Sequence, residues 1–255
     1  RCPHEFEFKY IKRLKEPQVE PDLRIGKALH MAIEAVLVHK PLAEALANSR
    51  KELLHEEEHR RYDELLPAVH TFLARIDEFR ARRRVRSEYV EHALAVNSDF
   101  EPTGFNATDA FFRGVWDLGF VYDDDWLAVV DHKSGVRHVM SFYEDQLHGY
   151  AVLAGTHFRD IRKIWLGVHF IAEAAVQWSP PLEIVDVEGQ MVPRVLSLIE
   201  QAAEVVRGNF EPRPSWWCDR CGYRSVCTAK RNSGGDAPGT IPDFAEPLAD
   251  SAESA

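Results

Sequence analysis

The sequence predicts an α/β fold, because its patterning changes from helical to strand-like partway along the chain. Apolar residues recur at helical spacing over residues 23–38, and helical patterning continues over 42–84. From Ser87 onwards, short runs rich in β-branched and aromatic residues predict strands, with further helices between and after them. The chain has 255 residues, of which 45% are hydrophobic, as is ordinary for a soluble globular protein of one large or two small domains.

The first part of the chain predicts helices. Residues 5–15 mix aromatic and basic side chains and are expected to form a short helix or an extended segment after Cys2. Asp22 is expected to cap the helix over 23–38. Residues 42–84 are expected to form a helical insertion or cap.

The second part predicts a sheet with accompanying helices. The acidic turn Asp123-Asp124-Asp125 is expected to join two strands as a hairpin. The predicted strands cover residues 89–96, 114–122, 126–131, 161–172 and 183–187, and the predicted helices cover 141–154 and 189–207.

The end of the chain differs in composition from the rest. A region rich in cysteine follows a Pro-rich, aromatic approach and covers residues 212–228. Residues 232–255 are mostly Gly, Pro, Ala, Ser and acid, which predicts a disordered acidic tail. The expected organisation is therefore a single domain over 1–231, followed by that tail.

Charge and composition restrict the compartment and the partners. The net charge of −10 argues against non-specific nucleic-acid binding over the whole surface, although a local basic groove remains compatible with it. No apolar run approaches the roughly 18 residues that span a bilayer, and the start has no signal-like apolar region. The first residue is Arg1 rather than Met, which allows the natural chain to begin upstream. Four cysteines without a secretion signal favour a reducing, cytoplasmic location.

The cysteines are distributed like metal ligands. Cys218, Cys221 and Cys227 are clustered near the end of the chain, and Cys2 stands alone at the start. Four thiolates complete the ligand set of a tetrahedral metal or of an iron–sulfur cluster. Zinc sites of four cysteines usually consist of two C-x2-C pairs, so the isolated Cys2 favours a cluster over zinc.

Acidic and basic residues in the predicted hairpin have the spacing of a hydrolytic site. Asp131 ends an apolar strand, Lys133 lies two residues later on the same face, and Asp117 lies in the preceding strand. Two carboxylates suit Mg²⁺ or Mn²⁺, and a nearby ammonium offsets the charge of a phosphodiester in the transition state. In isolation such a pair is equally consistent with surface residues.

Two helices contribute weaker candidates. His30 follows Gly26 by four residues in the helix over 23–38, where a histidine is more often a core or surface residue than a ligand. Gln146 and Tyr150 are also four residues apart and share one helix face, which by itself indicates only packing.

The order and spacing of these residues resemble a known family. The motifs are Gly26-x3-His30, Gly114-Val-Trp-Asp117, Asp131-His-Lys133-Ser-Gly135, Gln146-x3-Tyr150 and the cysteines. Together they resemble the RecB-like branch of the PD-(D/E)xK nucleases over roughly residues 1–228. Cys2-Pro3 with the distal C-x2-C-x5-C is similar to the iron–sulfur subgroup, which includes the AddB nuclease domain and the CRISPR-adaptation exonucleases.

The resemblance implies a fold and roles for individual residues. The fold is a restriction-endonuclease-like core, in which helices flank a central mixed sheet, with a helical insertion and an iron–sulfur clamp joining the N- and C-terminal regions. His30, Asp117 and Asp131, with the carbonyl of His132, are implied metal ligands, and Lys133 is the implied catalytic lysine. Gln146 and Tyr150 are implied to shape the site and contact DNA. The implied [4Fe–4S] ligands are Cys2, Cys218, Cys221 and Cys227.

Some features depart from the family or stay open. Asp131 stands where many nucleases of the wider superfamily have glutamate, although aspartate is usual in this branch. His132 stands where an apolar or aromatic residue is more common. Either Glu88 or Glu91 is expected to be the family's glutamate that opens the central sheet.

The implied activity is metal-dependent hydrolysis of DNA, by an exonuclease acting on single strands or DNA ends. The alternative is a catalytically silent module of the same fold for DNA binding or assembly. The implied partners are DNA and a helicase, recombination or CRISPR-integrase protein, in a DNA-repair, phage or CRISPR context, and no membrane is implied.

Two further groups are candidates for DNA contact. One group of basic residues precedes the first predicted helix. A second group, of arginines, lies at the end of the helical region and either contacts DNA or is simply a solvated helix face. Aromatic residues near the cysteines either stack on bases or shield the cluster, and shielding is favoured for the two tryptophans. These candidates are Lys9, Lys12, Arg13 and Lys15, the arginines between Arg80 and Arg86, and Trp216, Trp217 and Tyr223.

Overall fold

The computed structural model of the protein describes residues 2–15, 21–82, 84–135, 139–215, 218 and 221–229. The predicted tail over 232–255 and the tryptophans Trp216 and Trp217 lie outside these residues. The chain divides into two compact units. The smaller comprises residues 1–15 and 210–255, and the larger comprises residues 16–209.

Helices dominate the first part of the chain, and strands follow them. The helices are α1 (Pro3–Phe6), α2 (Pro21–Leu37), α3 (Leu42–Ser49), α4 (Glu56–Arg82), α5 (Glu144–His157), α6 (Ile184–Asp186) and α7 (Val192–Val206). The strands are β1 (Val85–Val96), β2 (Pro102–Thr103), β3 (Phe112–Tyr122), β4 (Trp126–Lys133), β5 (Lys163–Phe170), β6 (Ala175–Trp178) and β7 (Leu182–Glu183). Short 3-10 helices cover Arg50–Glu52, Met140–Tyr143 and Ile171–Glu173, and π-helical turns cover Glu7–Ile11 and Val187–Met191.

The strands of the larger unit form one mixed sheet. Its order is β2-β1-β3-β4-β5-β6, and β7 also pairs with β5. Strands β4 and β5 are parallel, while the other pairs are antiparallel. The single parallel pair requires a long crossover, which contains helix α5. The predicted mixed α/β fold with a central sheet flanked by helices is therefore confirmed.

Helices cover both faces of the sheet, and each face has its own core. Alternate residues of β4 divide between these cores: Leu127 and Val129 pack with α5, whereas Ala128 and Val130 pack with α2 and α4. A strand that is buried on both faces reads as a continuous apolar run, as Trp126–Val130 does. Asp131 and Lys133, which follow this run, are thus held at the edge of a rigid core.

The boundaries of several elements differ from the predictions. Helix α2 includes Asp22 in its first turn, so this residue does not cap the helix from outside. Its carboxylate pairs with Arg61 at 2.5 Å instead. The predicted strand over 183–187 is largely wrong, because pairing ends at Glu183 and helix α6 follows.

Strands β2 and β6 were absent from the sequence prediction. Strand β6 follows β5 after a turn in which Ala174 adopts a left-handed conformation, with φ of +50°. This reversal lets the chain pair back onto β5, where a single strand over 161–172 was predicted. Non-glycine residues seldom adopt this conformation, so no turn residue in the sequence marks the reversal.

In the smaller unit, the two ends of the chain contact each other. The buried ring of Phe8 lies 5.5 Å from the ring of Tyr223, measured between centroids. The Tyr223 hydroxyl donates to the carbonyl of Leu14 at 3.1 Å, and the Arg213 amide donates to Cys2 Sγ at 3.3 Å. The N-terminal segment is thereby attached to the cysteine-rich region.

Among the described helices, none has the length and apolar character required to cross a membrane.

Candidate active site

The site begins where strands β3 and β4 separate. Their pairing ends at Leu118 and Val130, so Asp117 and Asp131 lie just beyond the paired region. There the Asp117 carboxylate takes the place of a backbone acceptor, because its Oδ2 accepts a hydrogen bond from the His132 amide at 2.5 Å. The hairpin thus brings Asp117 next to the Asp131-His132-Lys133 segment, as the sequence predicted.

Asp131 is buried within a group of polar side chains. It is 2% exposed, and its Oδ2 lies 2.5 Å from the Lys133 ammonium. Its Oδ1 accepts hydrogen bonds from Gln146 Nε2 at 2.7 Å and from the Tyr150 hydroxyl at 3.1 Å. Gln146 and Tyr150 act from one face of α5, as their spacing of four residues predicts. These donors hold the carboxylate in one orientation.

Two glycines allow the helices to approach the sheet. A Cβ at Gly114 would lie 2.9 Å from Leu153 Cδ1 and 3.4 Å from the Tyr150 ring, so a side chain there would displace α5. A Cβ at Gly26 would collide with Ser134 Oγ, directly after Lys133. Gly26 therefore lets α2 lie against the end of β4.

Helix α2 brings His30 to Asp117. The His30 Nδ1 lies 3.8 Å from Asp117 Oδ2, a separation that two ligands of one cation can have. His30, Glu91 and Asp117 each offer one ligand atom, and these atoms lie within 4.8 Å of one another. The donor set of two carboxylates and one imidazole fits Mn²⁺ or Mg²⁺.

Glu91 reaches this group from strand β1. Its neighbours Val90 and His92 pair with Leu118 and Trp116, which places Glu91 opposite Asp117. Its φ of +49° is left-handed and interrupts the regular strand. Glu88, the alternative left open by the sequence, forms a salt bridge with Arg80 instead. Glu91 is not among the metal ligands that the sequence predicts, because no residue pattern signals this backbone conformation.

The pKa values reflect the crowding of acids. Burial and the charge of Asp131 raise the pKa of Asp117 to about 7. Partial burial, with the charges of Glu34 and Asp131, raises the pKa of Glu91. Burial lowers the pKa of His30, which keeps its imidazole neutral and able to bind a metal. A bound cation would offset the repulsion among these groups, so the electrostatics also fit a metal site.

The side chain of His132 lies on the opposite face of β4 from Asp131 and Lys133. There its ring packs edge-on against the rings of Phe72 and His30, with centroids 5.1 and 5.5 Å apart. Its Nδ1 lies 3.0 Å from Nδ1 of His169 on the neighbouring strand β5. His169 was not a predicted site residue, and only the pairing of β4 with β5 reveals it.

The cysteines lie in the smaller unit, and all four are free and half-buried. The Ser215 amide donates to Cys218 Sγ at 3.3 Å, as the Arg213 amide does to Cys2. Burial raises the pKa of the Cys221 thiol, and the nearby charges of Glu5, Cys218 and Cys227 add to this effect. The iron–sulfur cluster at these thiols stays a prediction.

The residues suggested for DNA contact have different surroundings. Arg80 and Arg86 form salt bridges with Glu88 and Asp160, which favours the alternative of an ordinary solvated surface. Tyr223 is buried, so its ring packs inside the smaller unit rather than stacking on bases. The basic residues over 9–15 are exposed.

A sequence model of the PD-(D/E)XK nuclease superfamily matches residues 1–228. Ten solved chains also match, among them one titled "Crystal structure of SSO0001". It is 14% identical, with 89% of this chain and 95% of that chain covered and a TM-score of 0.35. No curated protein matches the chain.

Proposed function

Because the chain belongs to the PD-(D/E)XK nuclease superfamily over residues 1–228, we propose that it is a metal-dependent deoxyribonuclease that acts as an exonuclease on single strands or DNA ends. The observation that carries this proposal is the opening between β3 and β4. There a His–Glu–Asp group lies beside an ion pair between the buried Asp131 and the half-buried Lys133.

The proposed metal ligands are His30, Asp117 and Asp131, with the carbonyl of His132 as a further ligand. Glu91 is added because its carboxylate lies in one group with the His30 imidazole and the Asp117 carboxylate. Bound Mg²⁺ or Mn²⁺ supplies Lewis acidity toward the phosphate and lowers the pKa of a bound water. Asp117 and Glu91, whose pKa values are raised, must lose their protons before they bind the cation.

Lys133 supplies positive charge next to the scissile phosphate. Its ammonium lies 2.5 Å from Asp131 and 5.1 Å from the centre of the Tyr143 ring, so it is held between a carboxylate and an aromatic face. From there it orients the attacking water and offsets the charge that develops on the phosphate oxygens. Gln146 and Tyr150 keep the Asp131 carboxylate aligned with both Lys133 and the proposed metal ion.

DNA is the proposed substrate because of the superfamily and the exposed basic residues of the smaller unit. Lys9, Arg13 and Lys15 are exposed, and Tyr10 between them is 57% exposed. Cations neutralise phosphates, and an exposed aromatic ring stacks on an unpaired base, so this segment suits a single strand. The preference for exonuclease action rests on the motif order shared with RecB-like nucleases.

The proposed cofactor of the smaller unit is a [4Fe–4S] cluster bound by Cys2, Cys218, Cys221 and Cys227. Its role is structural, because the ligands come from both ends of the chain. Anaerobically purified protein is expected to be brown and to contain iron and sulfide. Colourless protein containing stoichiometric zinc would overturn this cofactor and leave the nuclease proposal intact.

The second candidate function is a DNA-binding or assembly module that does not cut. The intact Asp131–Lys133 ion pair argues against it, since a binding module has no need for a buried carboxylate paired with a lysine. The two candidates differ in their response to Lys133→Ala. This substitution abolishes cleavage and spares DNA binding if the protein is a nuclease.

The experiment compares end-labelled linear DNA, single- and double-stranded, with closed circular DNA in Mg²⁺, Mn²⁺ or EDTA. Wild type is expected to shorten linear DNA only with metal, and Lys133→Ala is expected to be inactive. Lys163→Ala is the matched control, because Lys163 pairs with Trp126 at the opposite end of β4. Equal cutting by wild type and Lys133→Ala would overturn the nuclease proposal, and cutting of closed circles would overturn exonuclease action.

A further inference from the structure

Two buried histidines face each other next to the proposed metal site, and the ring of one of them, His132, also lies edge-on to that of His30. His132 and His169 occupy matching positions on the parallel strands β4 and β5. They are 3% and 0% exposed, and their Nδ1 atoms lie 3.0 Å apart. At this distance the N–H of one Nδ1 donates a hydrogen bond to the unprotonated Nδ1 of the other ring.

The surroundings keep the pair neutral and in place. Burial is the main cause that lowers the pKa of both histidines, and it takes that of His169 to about 3. The ring of Phe72 stacks on His169, with centroids 3.6 Å apart and planes inclined by 15°. His169 therefore has little freedom to turn away from His132.

Packing alone does not explain two histidines at these positions. Within the described part of the chain, Nε2 of each ring is buried without a hydrogen-bond partner. A buried polar atom without a partner costs stability, whereas a pair of phenylalanines would fill similar space without that cost. A purely structural role would thus favour apolar rings, which suggests that the bond between the two Nδ1 atoms serves another purpose.

The bond acts on the backbone that carries the active site. His132 lies between Asp131 and Lys133, and its amide donates to Asp117 Oδ2 at 2.5 Å. The pairing of β4 with β3 ends at Val130, so this contact depends on how the His132 backbone is oriented. Fixing the imidazole from the β5 side limits rotation of that backbone.

We propose that His169 is a positioning residue for the metal site, which holds the His132 peptide in line with Asp117 through the bond between their imidazoles. The inference rests on the proposed function, because Asp117 must be a metal ligand for the effect to be seen. Loss of a residue that orients a ligand typically costs about 10- to 100-fold in metal affinity.

The test measures Mn²⁺ binding to the whole protein without DNA, by the electron paramagnetic resonance signal of free Mn²⁺, and then the Mn²⁺ concentration for half-maximal cleavage. His169→Phe is expected to raise the Mn²⁺ dissociation constant and the half-maximal Mn²⁺ concentration about 10-fold each, with kcat at saturating Mn²⁺ close to that of wild type. His169→Asn, whose amide lies near the Nδ1 position, is expected to restore both. His157→Phe is the control, since this half-buried histidine bonds to Leu153 in α5.

Each result decides between the claims. Mn²⁺ binding by His169→Phe that equals wild type would overturn the positioning role and leave the nuclease proposal untouched. Absence of Mn²⁺ binding by wild type would overturn the metal site itself. If His169→Phe does not fold, the double variant His132→Phe/His169→Phe, which has no unpaired imidazole, replaces it. Wild-type affinity in that variant would equally overturn the role.

Discussion

Asp117 accepts the amide hydrogen of His132 across the gap where strands β3 and β4 part, at 2.5 Å. The Asp117 carboxylate thus accepts a hydrogen bond where a sheet would normally use a backbone carbonyl. Burial, with the charge of Asp131, raises the pKa of Asp117 to about 7. The same side chain lies 3.8 Å from the His30 imidazole. Asp117 therefore connects the sheet to helix α2 and carries a charge that is unfavourable without a cation.

The raised pKa of Asp117 predicts how stability changes with pH in EDTA. The folded-state pKa of about 7 exceeds the unfolded value of 3.8, so the folded protein binds the extra proton and loses stability as pH rises between them. Asp117→Asn is expected to match wild type near about pH 4 and to be more stable at about pH 7, by on the order of 2 kcal/mol. Thermal unfolding measures this difference.

Asp123→Asn, in the exposed hairpin turn, is the control for charge removal. With Mn²⁺, wild type is expected to become more stable than Asp117→Asn, because wild type gains binding free energy that the variant lacks. An Asn variant that is less stable than wild type at every pH in EDTA would contradict this account of Asp117.

Tyr150 is expected to affect catalysis more than folding. Tyr150→Phe removes one donor to Asp131 and leaves Gln146 in place, a loss of about 1 kcal/mol that corresponds to about 5-fold in kcat. Steady-state cleavage assays measure this loss, and thermal unfolding checks the fold. Combining it with Gln146→Leu should cost more than the two single losses together, because Asp131 Oδ1 then has neither donor. Strict additivity would indicate that the two side chains act independently.

Gly26 tests the contact between α2 and the end of β4. Gly26→Ala is expected to destabilise the protein by about 1–3 kcal/mol and to reduce cleavage, because the new Cβ meets Ser134 Oγ. In a Ser134→Ala background most of the loss should be recovered, since the colliding oxygen is gone. Gly155→Ala, with 3.6 Å to its nearest neighbour, is the control and is expected to be tolerated. No recovery in the double variant would show that α2 is restricted by another contact.

The basic residues over 9–15 are predicted to contact the DNA backbone. In Lys133→Ala protein, which is expected to bind without cutting, Lys9→Gln and Lys15→Gln should each weaken binding and reduce the salt slope by about 0.7 on single strands. Lys12 pairs with Glu7 at 2.9 Å, so its substitution should matter less. Fluorescence anisotropy at several salt concentrations measures the slope, with Lys51→Gln as control. Unchanged slopes would place the DNA elsewhere.

The sequence predicted those parts of the site that depend on local periodicity. Asp131 and Lys133 share a face because strand residues alternate, and Gln146 and Tyr150 share a face because helix residues repeat about every four. Both relationships appear as direct contacts to Asp131. The position of Asp117 next to Asp131 was also predictable, because the acidic turn indicates that their two strands form a hairpin.

Other parts of the site depend on non-local or unusual geometry. Glu91 reaches the metal group through a left-handed backbone that no glycine or asparagine signals. His169 meets His132 only through the register of two parallel strands, which are separated in sequence by helix α5. For the cysteines, the structure brings the chain ends into one unit, and the cluster stays a prediction for experiment.

The most direct test of the central claim is anomalous diffraction at the manganese edge, from crystals grown with Mn²⁺. The account predicts a peak bound by His30 and Asp117, with Asp131 or Glu91 within ligand distance and Lys133 next to it. A protein that cleaves DNA with Mn²⁺ but shows its manganese elsewhere, or none between these residues, would contradict the account.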